Sequence, residues 1–431
     1  MDRVHRTPWQ PLLTGQLQER AWAAIEAIAR DPRMKPPVAP REAVPGDASL
    51  AGGSAGRALF FAYLSRSGGT DADAGVAMAH LDSALDALEH TTLPPSLFEG
   101  FAGIAWTYAH LAGRLFEDEG DGALESIDTA LVEFLSRTPW DEDYDLISGL
   151  AGYGVYALQQ TSVATRRALL DPVIVRLQES AEWRPGLATW FTPRSRLVPS
   201  QIAQAPEGFY NLGVAHGVPG VIALLGLAAA AGADPRVDSL LMDAIAWLRQ
   251  QQPANATTAF PHWIEPSGPS SPARLAWCYG DPGIAATWLV AARGAGRRDW
   301  EQEAISVAQR AAARSFDSSG VVDAGLCHGA AGVAHVFNRL FQATGDTGLG
   351  DAARQWFERA LDMARPDGVG GFLTRDLREG ESVWVPDAGL LTGAAGIGLA
   401  LLGACTEVEP EWDRVLLLDV PARGGSSAES A

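Results

Sequence analysis

The side chains best suited to chemistry in this chain fall at one position of a recurring pattern. Cys278, Cys327 and His328 form a Cys2His set. Three protein ligands with an open fourth position is the form of a catalytic zinc site, whereas structural sites are usually filled by four. Soft sulfur with imidazole selects zinc over magnesium or calcium. The competing reading makes Cys278 and Cys327 small core residues, because free cysteine is among the most buried types; Cys405, in an apolar run, is read that way. His216 stands in the same register without a cysteine beside it, which suits an acid/base role. Asp145 reads either as a helix cap or as the group that orients His216. Arg274, four residues before Cys278, is either an anion-binding group or a surface arginine. His335 reads as packing, and His5, His80, His90, His110 and His262 carry no usable signal.

The register is set by Gly-x-x-Gly, which recurs seven times, beginning at Gly53, Gly100, Gly149, Gly217, Gly280, Gly329 and Gly393. The first glycines are 47, 49, 68, 63, 49 and 64 residues apart, and each pair heads an apolar run of helical length. Such spacing is the signature of a repeat architecture. Aligned on the glycine, Cys278 and Cys327 share one slot, and His216, Tyr279 and His328 share the next. Between the copies lie amphipathic stretches with a 3.6-residue period, such as Arg298–Ala313 and Leu349–Ala364, and Leu17–Ala29 ahead of the first copy reads alike. An all-apolar helix must be buried on most sides, and an amphipathic one can cover it from outside. An open solenoid has near-constant repeats and polar caps. Variable repeats with apolar ends therefore predict closure: an all-α fold, an α/α toroid of seven helical hairpins. The glycines are expected to let helix ends crowd around the axis. In a closed ring the slots above converge at one end, and Asp145, four residues ahead of Gly149, joins them.

The longer connections, containing 189–193, 260–264 and 371–375, read as short extended hairpins. Residues 1–420 read as one domain and 421–431 as a small, polar, disordered tail. Charge is −19, with a single lysine, Lys35, among 33 basic residues. No Lys/Arg stripe suits nucleic acid. The N-terminus has no apolar signal region. The uncharged stretches Gly217–Ala233 and Ala388–Thr406 approach spanning length, but each belongs to the repeat and is read as a core helix. Three cysteines make no disulfide framework and suit a cytoplasmic protein with working thiolates.

The strings Asn211–Gly220, Trp277–Gly283 and Gly325–Gly332 closely resemble the lanthionine synthetase C (LanC) family of lanthipeptide cyclases, and Asp145–Gly152 and Ala388–Gly396 are similar to further family segments. The resemblance covers residues 45–420. It implies a seven-hairpin barrel, one zinc ion held by Cys278, Cys327 and His328, and His216 and Asp145 as catalytic residues, with Arg274 and Tyr279 near them. The implied reaction adds a peptide cysteine thiol to dehydroalanine or dehydrobutyrine, closing a (methyl)lanthionine thioether ring in a dehydrated precursor peptide. The length resembles that of the stand-alone cyclase, which works with a separate dehydratase. Two alternatives stay open: a LanC-like enzyme that adds glutathione to dehydrated residues, and a non-catalytic zinc-binding scaffold in a peptide-modification complex.

Overall fold

The computed structural model describes residues 8–36, 45–117, 122–253, 258–378 and 381–422. The tail expected at 421–431 lies outside them from residue 423 onward, as does His5. The body is an alternation of outer and inner helices: α1 (Gly15–Arg30), α2 (Ser54–Arg66), α3 (Asp71–His90), α4 (Phe101–Leu111), α5 (Glu125–Leu135), α6 (Leu150–Gln159), α7 (Val163–Ser180), α8 (Val218–Ala230), α9 (Arg236–Gln250), α10 (Asp281–Gly294), α11 (Arg298–Ala312), α12 (Ala330–Thr344), α13 (Thr347–Asp362) and α14 (Ala394–Cys405). The even-numbered helices are the apolar ones headed by glycine.

Hydrophobic patterning decides which helix goes where. Every residue of α14 is buried, and burying a Leu or Ile side chain contributes roughly 1.5–3 kcal/mol. Helix α13 buries only the face bearing Leu349, Ala353, Trp356, Phe357 and Ala360, and starts where the Asp346 carboxylate accepts from the amides of Gly348 and Leu349. The two uncharged stretches thus form core helices α8 and α14, and no helix among the described residues is long and apolar enough to cross a membrane.

The ring is closed. Each inner helix packs on the next, and α14 packs on α2. The turns ahead of the inner helices are joined by backbone hydrogen bonds around the whole circle. Ala51 N donates to Phe98 O (2.8 Å), Phe98 N to Ile147 O (3.4 Å), Leu146 N to Ala215 O (3.2 Å), Ala215 N to Cys278 O (3.4 Å), Cys278 N to Cys327 O (3.2 Å), Cys327 N to Leu391 O (2.6 Å), and Leu391 N to Ala51 O (3.0 Å). Six outer helices cover the inner helix that precedes them, while α1 covers α14. The chain's first helix therefore completes its last hairpin.

The glycines act somewhat differently from the crowding expected at the axis. A Cβ on Gly103 would lie 1.8 Å from Leu97 O of its own turn and 3.0 Å from Leu50 Cβ of the preceding repeat. The pairs seat each turn on its helix and on its neighbour.

Small sheets decorate the ring. β1 (Glu182–Trp183) and β2 (Ala188–Thr189) form a hairpin. β3 (Phe191–Pro193), β4 (Gly208–Asn211), β5 (Trp263–Glu265) and β6 (Gly268–Pro269) form an antiparallel sheet in that order. β7 (Leu373–Arg378) pairs with β8 (Glu381–Pro386). The second expected strand starts at Trp263 rather than Phe260, because the amides of Ala259 and Phe260 donate instead to the Asp281 carboxylate at 2.8 and 3.0 Å. The segment Pro410–Val420 enters the ring from the C-terminal ends of the inner helices. There Trp412 stacks on His335 of α12, Glu411 pairs with Arg114 beyond α4, and Leu416 O accepts from the Trp277 indole.

Candidate active site

The ring of backbone bonds positions the functional side chains. Leu146 N bonds to Ala215 O, so the residues flanking this link, Asp145 and His216, are brought together. His216 Nδ1 and Asp145 Oδ2 lie 2.5 Å apart. Asp145 Oδ1 accepts from Ser148 N at 2.7 Å. Asp145 does not cap α6, whose N-cap is Gly149 without a side-chain bond; its carboxylate instead ties the turn ahead of that helix and holds the histidine. The His216 side chain keeps 45% of its surface exposed while that of Asp145 keeps 11%. The imidazole is accessible to a substrate and its partner is not.

The next link, Ala215 N to Cys278 O, carries the His216 turn against the Cys278 turn, and the one after joins Cys278 to Cys327 directly. The ligand atoms of Cys278, Cys327 and His328 all lie within 4.8 Å of one another. Donors of one tetrahedral zinc ion are roughly 3.5 Å apart, so this group could hold a metal ion as it stands. Its protonation fits the same use. A hydrogen bond from Cys327 draws the Cys278 thiol well below its ordinary pKa, with His328 adding to the effect, and the shared proton pushes Cys327 up. His328 is raised, chiefly by its bond to Cys278. A thiolate ringed by two proton donors is what a soft dication would occupy in their place.

Partial desolvation by the surrounding rim disfavours a charge on the accessible His216, but the hydrogen bond and negative charge of Asp145 outweigh it, and the pKa is raised above 6.5. Tyr279 accepts from Asn211 Nδ2 at 2.9 Å. Burial pushes its phenol upward, so it stays neutral and keeps a proton to donate. The turn carrying Cys278 and Tyr279 needs glycine at 280, where φ is +118° and a Cβ would lie 1.9 Å from Arg274 O. Arg274 itself is half-buried, and its charge is felt by Cys278 and His328.

Two residues at the site were not singled out by sequence. Asn211, at the end of β4, fixes Tyr279 through its amide and is itself tied by Gly213 N at 2.8 Å. His262 packs edge-on against Tyr279, at 5.7 Å between ring centres. Asn211 opens the motif containing His216, but only the folded sheet turns its amide toward Tyr279. Cys405 is buried on α14, and burial pushes its thiol up to about 12, as befits a core residue. His335 is buried too, with Nε2 2.8 Å from Asp413 Oδ2. His80 bonds Met34 O and His110 bonds the Tyr63 hydroxyl, both in the core.

Fold and site together define an α/α toroid with a thiol–imidazole cluster and an Asp–His pair on one rim. The sequence matches the family model described as lanthionine synthetase C-like protein over residues 44–417, and the chain belongs to that family. It is similar to the nisin biosynthesis protein NisC of Lactococcus lactis subsp. lactis, with 24% identity over 274 residues, covering 58% of this chain. That alignment spans 63% of the relative's length. The solved structure of a nisin cyclase superposes with a TM-score of 0.74 and 21% identity, covering 93% of this chain and 98% of the other.

Proposed function

We propose that the chain is a zinc-dependent lanthipeptide cyclase acting in the cytoplasm on a peptide dehydrated by a separate enzyme. The observation that carries this reading is the 2.5 Å His216–Asp145 pair standing one backbone link from the Cys278–Cys327–His328 cluster. Cys278, Cys327 and His328 would hold the ion and leave its fourth position for substrate. Zinc supplies a Lewis acid that favours the ionised form of an incoming thiol, whose ordinary pKa is about 8.5.

The reaction adds S–H across a carbon–carbon double bond. Sulfur bonds to the β carbon, the π pair moves onto the carbonyl as an enolate, and a proton is delivered to the α carbon. His216, charged and held by Asp145, is the group that delivers it, and the proton released by the thiol restores the imidazolium, so the net change is one S–H added across the double bond. Tyr279 is a neutral donor for the carbonyl oxygen, and Arg274 sets a positive charge near the thiol site. Asn211 fixes the phenol.

Ring closure leaves mass unchanged but removes a thiol. A dehydrated, cysteine-bearing peptide is incubated with zinc-loaded protein and then treated with N-ethylmaleimide. Loss of maleimide labelling at constant mass supports the reading. Labelling undiminished, with or without glutathione, overturns it. A mass gain equal to glutathione shows intermolecular addition instead.

A further inference from the structure

A cavity of about 1190 Å³ opens between the end of α11, the turn ahead of α10 and the β7–β8 hairpin, with His328 in its wall. Four arginines line it, Arg274, Arg310, Arg314 and Arg375, against one carboxylate, Asp376. Asp376 is already bonded to Arg378 at 3.0 Å. Among the described residues, no guanidinium of the four lies within 4.0 Å of a carboxylate oxygen. Behind the wall, the buried Asp281 carboxylate is felt by Arg310 and Arg314, and Asp323 accepts from Arg375 N at 3.2 Å; the lining itself still carries an excess of positive charge, in a chain whose net charge is −19.

Local structure accounts for part of it. Arg310 stands in the last turn of α11, where a cation faces the helix dipole. Arg314 donates to the carbonyls of Ala273 (2.9 Å) and Ser318 (2.6 Å). Neither reason covers the other two. Arg274 has no hydrogen-bond partner among the described residues, and the Arg375 guanidinium meets the Ser382 hydroxyl. Arg274 precedes α10, Arg310 and Arg314 lie together at the end of α11, and Arg375 is on β7, so three separate pieces of chain deliver charge to one space.

We infer that this cavity binds a carboxylate-bearing segment of the peptide substrate, an Asp or Glu side chain close in sequence to the reacting cysteine. The inference rests on the cyclase reading and names the peptide chemistry that site would select. The size favours a peptide over a lone anion, since the volume matches or exceeds the ~300–1,000 Å³ typical of pockets for whole organic ligands. Leu377, 63% exposed in the same wall, offers apolar surface that a peptide would cover. The overall negative charge is screened beyond roughly 8–10 Å at moderate salt, so the local arginines govern a segment already inside.

Arg310 and Arg375 are exposed, so replacing both by glutamine should leave the fold and its melting temperature unchanged. Two fluorescent peptides carry serine in place of the reacting cysteine, one with flanking glutamates and one with flanking glutamines. Each is titrated by anisotropy against the full chain and the Arg310→Gln/Arg375→Gln variant. The glutamate peptide should bind the natural protein about tenfold more tightly, the scale of two exposed charge pairs. The variant and added salt should each erase that preference. Equal binding of the two peptides, or a preference surviving in the variant, overturns the inference. Inorganic phosphate binding that the variant loses, without any glutamate preference, also overturns it and assigns the cavity to a small anion. These peptides cannot cyclise. A glutamate preference therefore supports the cavity assignment even if the maleimide assay defeats the cyclase reading.

Discussion

The backbone amide of Cys278 donates to the carbonyl of Cys327 at 3.2 Å. The two thiols are thus held by a main-chain link of the closed ring, before any metal is considered. Inner helices α10 and α12 are in turn anchored by apolar burial along their lengths. A site built this way differs from a zinc finger, whose fold depends on the ion.

The ion should therefore be removable without unfolding. Cys278→Ala and Cys327→Ala are expected to lose most bound zinc, read by elemental analysis, while Cys405→Ala keeps it. Circular dichroism should show the chelated protein still helical. Full zinc in both cysteine variants, or global unfolding on chelation, would contradict the assignment.

His216 should behave as a proton carrier. His216→Ala is expected to keep zinc and slow ring closure by roughly 10²–10⁴-fold, the range of general acid–base catalysis. Asp145→Asn should lower the imidazole pKa and shift the alkaline limb of the rate profile downward. The sign for stability follows from the raised pKa. The contribution of His216 is full below its unfolded value near 6.5 and fades as pH rises through the higher folded value. Melting curves of the natural protein and His216→Gln should therefore converge as pH increases. Zinc loss in His216→Ala would instead make it a ligand.

Much of this was legible in the sequence because one regularity carried it. Gly-x-x-Gly fixed the register, and register alone put Cys278, Cys327, His328, His216 and Asp145 on one rim. What stayed hidden depends on connections between repeats. Asn211 and His262 reach Tyr279 through a sheet that joins two long loops. Arg310, Arg314 and Arg375 meet Arg274 only when an outer helix end and a β-hairpin flank the same turn. The partnership of α1 with α14 follows from the predicted closure once Leu17–Ala29 is counted as an outer helix, whereas Pro410–Val420 carries no repeat signal to show that it enters the lumen.

Glycines of the two helix layers should respond oppositely. Gly103→Ala places a methyl 1.8 Å from a backbone carbonyl, which no side-chain motion relieves. A loss of about 2–4 kcal/mol is expected, at the severe end of single substitutions. Gly75, on outer helix α3, has open space around it. Gly75→Ala should stabilise by about 0.5–1 kcal/mol through helix propensity. Denaturant titrations of both variants give the comparison, and equal effects would refute the assigned packing.

The plug of the ring, Pro410–Val420, is fastened through a buried carboxylate. Asp413 is fully buried and accepts from Arg339 Nε at 2.6 Å, Arg339 Nη2 at 2.8 Å and His335 Nε2. Arg339 is itself buried and sits on α12, so this carboxylate fastens the C-terminal segment to an inner helix. Among the described residues, removing Asp413 leaves the buried Arg339 with only Glu409, at 3.1 Å, and the more distant Asp419, at 3.8 Å, to offset its charge. Asp413→Ala is expected to cost about 3–5 kcal/mol, whereas replacing the pair by well-packed apolar residues, Asp413→Leu with Arg339→Met, should recover much of that. The double variant leaves His335 to be satisfied, and its unmet nitrogen sets how complete the recovery can be. Zinc content should stay unchanged in the folded fraction of each variant, because Asp413 bonds to His335 and Arg339 within α12, and it is Leu416, not Asp413, that touches the ligand-bearing turn through the Trp277 indole. Denaturant midpoints and metal analysis together decide the matter: a mild Asp413→Ala would mean that the buried pair holds nothing in place.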